Sequence, residues 1–328
     1  MNTPLAHTEI ADDSPLALRQ RLATVRAQIA PFLHHTPLVP SQRLSALAGR
    51  QVLLKLENLQ KTGSFKARGF VHRVQEHHGR GGGGVMTFSS GNAAQGLAYA
   101  AGRLGCPAVV MMTPGANPAK VAATQGYGAR VVFAGSLATI AEDAARLAER
   151  EGFTLLHPYD DSALMIGHAS LGLELLEEMP AGATVVTAVG GGGMAGGLAL
   201  TARAHGMPFR LVTAEPLAAG RLQSALDAGH PVPCTSMSIA EGLCPPGIGH
   251  ACFELIRQTA AQHVLVQEEE IRGAMRALLE CMKMLAEPSG ATALAAALGG
   301  QIEAQGEGPL VVIVSGGNID MERLKALL

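Results

Sequence analysis

The chain has 328 residues, a formal charge of −2 at pH 7 and a hydrophobic fraction of 48%. That length exceeds one typical core, so two domains are expected. A pI near 6.6 and an aromatic content of 3% leave neither a basic surface nor stacking platforms for bases, which excludes nucleic acid as a partner. Five cysteines, scattered without a C-x-x-C spacing, argue against a disulfide framework or zinc knuckle and fit a reduced, cytoplasmic setting. Residues 1–14 carry Glu9, Asp12 and Asp13 and no apolar stretch, so they read as a loose leader. No later apolar run is long enough to span a bilayer.

Taken in chain order, residues 16–30 repeat apolar positions at helical spacing until Pro31 breaks them, and 52–56 form a short strand. The run Lys61-Thr62-Gly63-Ser64-Phe65-Lys66-Ala67-Arg68-Gly69 follows, continued by a helix over 70–78. Five glycines within 79–84 then mark a crossing between domains. Strands at 85–88, 108–112 and 130–133 alternate with helices at 93–104, 118–125 and 137–150, a compact α/β unit. A second series has strands at 184–189, 210–214 and 310–314, and helices at 171–178, 271–285 and 291–298. The expectation is α/β, with two open parallel-sheet domains: a large one from 1–83 and 161–328, and a small one from 84–160. Ligands of such sheets gather beyond the carboxyl ends of the strands, so the site belongs between the two.

Four positions carry chemistry. Lys66, crowded by Phe65 and Ala67, is a candidate Schiff-base amine, because burial disfavours its charged form; its bland alternative is a surface lysine. Gly190, Gly191, Gly192 and Gly193, followed by Met194, come after an apolar strand and leave backbone N–H groups free to surround a phosphate. The rival reading is a dinucleotide loop, for which Glu215 stands near the usual distance of about 20 residues, although the loop comes late in the chain. An aldehyde-seeking amine with a phosphate turn points to pyridoxal phosphate. Ser89, Ser90, Gly91 and Asn92 sit where strand 85–88 gives way to a helix, which is either a ligand loop or a plain helix cap. In the functional reading Asn92 meets an edge of the cofactor, and Ser90 presents its hydroxyl to the substrate. Ser315 closes strand 310–314, where its neutral hydroxyl can face a pyridine nitrogen without holding it protonated. The histidines at 34, 35, 77, 78 and 168 show no metal-ligand spacing, and Glu241 and Glu287 lie in turns that fit a site lining or plain surface.

With these residues assembled, the chain resembles the serine/threonine dehydratase and serine racemase family of fold type II pyridoxal-phosphate enzymes, which share the fold of the tryptophan synthase β subunit. The likeness runs from about residue 29 to 320 and includes Thr36-Pro37-Leu38, Lys61 to Gly69, Ser89 to Gly96, His157-Pro158, Gly190 to Met194, Glu287-Pro288 and Ser315 to Asn318. It implies Lys66 as the Schiff-base lysine, Phe65 and Asn92 beside the ring, Gly190 to Met194 on the phosphate and Ser315 at the pyridine nitrogen. It also implies a homo-oligomer, most simply a dimer. Two departures point to a remodelled substrate pocket: Ala93 stands where the family commonly has histidine, and Gly167-His168-Ala169-Ser170 replaces Gly-Gln-Gly-Thr. In metal-activated members a glutamate, a carbonyl and an acidic residue bind a divalent cation. Glu215 and Ala219 match, but Arg221 takes the acidic place, where it is expected to repel the ion and pair with Glu215.

The resemblance implies loss of water and ammonia from a β-hydroxy amino acid such as L-serine or L-threonine, with Lys66 as base. A racemase using Ser90 on the opposite face, and a non-catalytic amino-acid-binding protein on the same scaffold, are the competing readings.

Overall fold

The computed structural model describes residues 13–303 and 308–328; most of the expected leader, residues 1–12, lies outside them. The described chain opens with α1 (Pro15–Ile29), β1 (Leu38–Pro40), α2 (Gln42–Ala48), β2 (Val52–Leu56) and α3 (Lys66–Gly79). Next come β3 (Val85–Phe88), α4 (Asn92–Leu104), β4 (Ala108–Met112), α5 (Pro118–Gly126), β5 (Arg130–Phe133), α6 (Ile140–Glu151) and β6 (Thr154–Leu155). The remainder comprises α7 (Ser162–Glu178), β7 (Thr184–Ala188), α8 (Gly193–Ala204), β8 (Arg210–Pro216), α9 (Arg221–Ala228), α10 (His250–Thr259), β9 (Ala260–Val266), α11 (Glu268–Ala277), α12 (Pro288–Leu298), β10 (Leu310–Val314) and α13 (Met321–Leu327). None of the helices is long and apolar enough to cross a membrane, among the described residues.

The strands build a six-stranded sheet ordered β1-β2-β10-β7-β8-β9 and a four-stranded sheet ordered β5-β4-β3-β6. Pairing is parallel throughout except for β1 on β2, so the larger sheet is mixed at one edge rather than wholly parallel. Pro40 in β1 has no N–H to give a further neighbour, which suits an edge position. Every residue of β2, β7 and β10 is buried, because helices cover both faces; that is why these strands read as unbroken apolar runs.

Two helices depart from their expected limits. The helix expected over 171–178 starts at Ser162, where Asp161 accepts the N–H groups of Ala163 and Leu164. Residues 163–175 are all buried, so no polar stripe marks its earlier turns. The helix expected over 271–285 runs as α11 only to Ala277, passes through a π-turn at Leu278–Met282, and stops at Lys283 in the left-handed region. Beyond it, the Leu285 carbonyl accepts from Asn58 Nδ2 at 3.0 Å, a tertiary contact that periodicity cannot report.

One apolar cluster joins the two sheets: Phe70 and Val71 of α3, Ala93, Ala94 and Leu97 of α4, and Leu164 of α7 all belong to it. The approach is close enough that a Cβ on Gly96 of α4 would sit 2.9 Å from Phe70 Cδ2 and 3.1 Å from Lys66 Cβ.

Beneath α3 lies a buried charge network. The guanidinium of Arg68, 1% exposed, donates to Glu57 at 2.7 and 2.8 Å and to Glu174 at 2.6 and 2.9 Å. Lys55 Nζ lies 2.8 Å from Glu174, and Thr36 Oγ1 donates to Glu57 at 2.5 Å. The network ties α3 to the end of β2 and to α7. Removing the arginine would strip the buried Glu57 of its cationic partner and leave Glu174 with Lys55 alone, so Arg68→Met should cost about 3–5 kcal/mol. Urea unfolding measures this, and a loss below about 1 kcal/mol would contradict the assigned role.

Candidate active site

The order β2-β10-β7 places three parallel strand ends side by side. The lysine run follows β2, Ser315 follows β10, and the tetraglycine follows β7. Main-chain hydrogen bonds stitch the first two turns together: Phe65 N–H donates to Ser315 O at 3.1 Å and Gly317 N–H to Gly63 O at 2.9 Å, while Ser64 and Gly316 form a β-bridge. Lys66 is the first residue of α3. Its Nζ donates to Pro158 O at 2.8 Å and lies 5.2 Å from the Phe65 ring centre. Burial pushes the amine down to about 8, so neutral amine is present near physiological pH.

Gly190 to Gly193 turn the chain from β7 into α8, with Gly192 at φ +94° as the N-cap. Side chains have no room here. A Cβ on Gly190 would meet Leu243 Cα at 2.8 Å, on Gly191 the Tyr159 ring at 2.2 Å, and on Gly192 Cys252 Cβ at 2.6 Å. The turn therefore presents bare main chain at the start of a twelve-residue helix, whose first N–H groups have no acceptor within the helix. Met194 is buried behind it.

His168 of α7 sits beside both elements. Its ring centre is 4.9 Å from that of Phe65, and its Nε2 would lie 3.8 Å from a Cβ on Gly193. It is fully buried, and neither ring nitrogen has a hydrogen-bond partner. Burial, together with the charges of Lys66 and Arg68, holds it well below the usual histidine range, hence neutral. Ser64 Oγ is likewise buried and unpartnered. An amine near neutrality, a side-chain-free turn and unpartnered polar atoms around them fit a ligand with an aldehyde and a phosphate.

Asn92 opens α4 from the smaller sheet and is held by the larger one. Its Nδ2 donates to Glu287 Oε1 at 2.5 Å, and its Oδ1 accepts from Asn318 Nδ2, which also donates to Thr62 O at 2.6 Å. Burial pushes Glu287 up to about 7. Ser315 Oγ is buried, 3.4 Å from Ser289 O. Ser89 Oγ accepts Gly91 N–H within its own turn, and Ser90 Oγ accepts Thr113 N–H and pairs with Thr113 Oγ1, both at 2.9 Å. Ala93 is buried on α4. Lys66, Phe65, Ser315, the glycine turn, His168 and Asn92 are thus linked by contacts, whereas Ser90 is tied to β4's turn. Sequence reasoning missed Asn318, Tyr159, Thr113 and the Pro158 carbonyl as site residues. Asn318 and Pro158 stand in motifs already singled out, but their partners come from distant elements.

The expected pairing of Arg221 with Glu215 does not occur. Glu215 accepts from Leu222 N–H at 3.0 Å, Gln223 N–H at 2.7 Å and His263 Nε2 at 2.9 Å. Arg221 Nη1 instead occupies the Ala219 carbonyl at 2.9 Å. With one carboxylate capping α9 and the carbonyl taken by a guanidinium, these residues do not fit a divalent cation.

Parallel strand ends that present a buried amine and a glycine turn define an α/β enzyme built around a phosphate-bearing aldehyde cofactor. The chain belongs to the family described as pyridoxal-phosphate dependent enzymes, whose model matches residues 29–316. It is 38% identical over 300 residues to an L-threonine ammonia-lyase of Geobacter sulfurreducens, covering 90% of this chain and 74% of that protein. It is 39% identical over 303 residues to an L-threo-3-hydroxyaspartate ammonia-lyase of a Pseudomonas species, covering 90% and 94%. Serine racemase of Dictyostelium discoideum superposes with a TM-score of 0.86 at 32% identity, covering 94% of this chain and 100% of that one. The fold is that of the type II pyridoxal-phosphate enzymes.

The raised Glu287 carboxyl gives a test with a defined sign. Ionisation is disfavoured in the folded state, so the penalty grows as pH rises from 4.5 and is complete above about 7. Glu287→Gln should therefore gain stability relative to the wild type as pH rises, by up to about 3 kcal/mol at pH 8 compared with pH 4. Urea midpoints of the two apoproteins measure the gap; a pH-independent gap would contradict the desolvated carboxyl.

Proposed function

We propose that the protein is a pyridoxal-phosphate-dependent ammonia-lyase that removes water and ammonia from a β-hydroxy amino acid such as L-threonine or L-serine, giving 2-oxobutanoate or pyruvate. The observation that carries this reading is Lys66: a buried amine shifted to about 8, held by main-chain bonds beside Ser315. Similarity to ammonia-lyases over nine-tenths of the chain supports the reaction class.

Pyridoxal phosphate, when bound, supplies an aldehyde for the substrate amine and a pyridine ring to take up the electron pair left at Cα. In this reading Gly190 to Met194 hold the phosphate, Phe65 and Asn92 flank the ring, and Ser315 meets the ring nitrogen with a neutral hydroxyl that does not enforce its protonation. That choice favours prompt loss of a β-substituent. Lys66 Nζ, as neutral amine, takes the proton from Cα. The β-hydroxyl takes up that proton from the Lys66 ammonium and leaves as water, and hydrolysis of the resulting unsaturated amine by a further water releases ammonia and the 2-oxo acid. Ser89 to Ala93 and His168, which also lies beside the glycine turn, shape the substrate pocket. The large unit, 1–83 with 161–328, holds the cofactor, and the small unit, 84–160, brings Ser90 and Asn92 to the substrate. A cytoplasmic homodimer completes the proposal; its five free cysteines suit a reducing compartment.

A racemase needs Ser90 to pass a proton to the opposite face of Cα; its Oγ accepts Thr113 N–H and pairs with Thr113 Oγ1, and the products distinguish the two readings. L-Serine and L-threonine incubations assayed together for 2-oxo acid and by chiral chromatography should give mainly 2-oxo acid; accumulation of D-amino acid instead would favour the racemase. Lys66→Ala should abolish the visible absorbance of bound cofactor and lower turnover at least about a hundredfold, and normal turnover in that variant would reject the assignment. Capture of pyridoxal phosphate by the apoprotein needs the neutral amine. Its rate should climb about tenfold per pH unit below 8 and level off above. A profile still climbing at pH 10 would place Lys66 in bulk solvent.

A further inference from the structure

Arg221 opens α9 at 1% exposure, yet its guanidinium hydrogen-bonds to main-chain carbonyls. Nε donates to Pro245 O at 2.9 Å, Nη1 to Ala219 O at 2.9 Å, and Nη2 to Ser236 O at 2.5 Å and Cys234 O at 3.4 Å. A buried cation surrounded by converging carbonyls is the arrangement that hard metal ions adopt among oxygen ligands. Here the positive charge is covalently part of the chain. The planar fork, with donors at fixed angles, spans four carbonyls from two separate stretches of main chain, which a lysine ammonium cannot do.

Three of those carbonyls belong to segment 231–249, which connects α9 to α10. The same segment forms a wall of the glycine turn. Gly242 O and Leu243 Cα would lie 3.2 and 2.8 Å from a Cβ on Gly190, Gly249 N–H donates to Gly191 O at 3.0 Å, and Ile248 packs at Gly192. Cys234 N–H donates to Pro246 O at 2.7 Å, closing the segment on itself. A direct route thus runs from the guanidinium through Pro245 to the backbone that lines Gly190.

We propose that Arg221 is a built-in cation, a positioning residue that braces segment 231–249 against the glycine turn and makes cofactor affinity independent of divalent metal ions. The inference rests on the reading of that turn as the phosphate site. In the wild type, EDTA should change neither Tm nor the Kd for pyridoxal phosphate, and millimolar Mg²⁺ or Ca²⁺ should add nothing. Arg221→Met, close in length but neutral, should weaken pyridoxal phosphate binding at least about tenfold, the effect of one lost charge-assisted hydrogen bond. Arg221→Lys, which keeps the charge without the fork, should fall between. Weaker cofactor binding by the wild type in EDTA, restored by Mg²⁺ or Ca²⁺, would overturn the proposal, as would wild-type affinity in Arg221→Met. Should Arg221→Met not fold, the EDTA arm on the wild type decides alone. A wild type that binds no pyridoxal phosphate at all would instead strike the reading of the glycine turn, a separate result.

Discussion

The double fork of Arg68 onto Glu57 and Glu174 is the constraint on which the site depends. It is a buried network of formal charges, which is stable only when every member is paired. Lys66 stands two residues earlier on the same helix, roughly 200° around the axis. One face of the first turn of α3 is therefore locked to β2 and α7, and the nearly opposite face is aimed at the cleft. The amine inherits its position from the guanidinium.

Burial is the second organising cause, and it acts on each titratable group of the site in a direction set by that group's charge. The same exclusion of water lowers Lys66, keeps His168 neutral and raises Glu287. Each shift has a cost in the apoprotein, since burial disfavours charge, and buried polar groups without partners are disfavoured as well. His168 and Ser64 are buried polar groups of this kind. A site prepared in this way gains partners when its cofactor arrives, so binding and folding stability are linked.

Main-chain geometry does the rest of the positioning. The turns after β2 and β10 hydrogen-bond to each other, the turn after β7 admits no side chain, and the helix from the smaller sheet is held at Asn92 by residues of the larger one. Arg221 extends this principle, since its guanidinium binds main-chain carbonyls of the segment that walls the glycine turn.

Strands at 52–56, 85–88, 108–112, 130–133 and 310–314 were legible to the residue, because short apolar runs between turn residues have few other ways to be buried. Lys66, the tetraglycine and Ser315 were legible as candidates because the chemistry proposed for them is local: a crowded amine, a turn without side chains, a hydroxyl at a strand end. The start of α7 and the end of α11 were not, since one is buried all round and the other gives way to a π-turn that stops at Lys283 in the left-handed region. The Arg221 reading failed at a similar point, because a charge at that position suggested a carboxylate partner and the folded chain brings it carbonyls. Which residues stand at strand ends, and what kind of ligand they suit, was determined by the sequence itself. Which ends become neighbours, and hence which distant atoms meet Asn92, Arg68, His168 and Arg221, was decided only by tertiary structure, because hydrogen bonding and burial depend on separation in space and not along the chain.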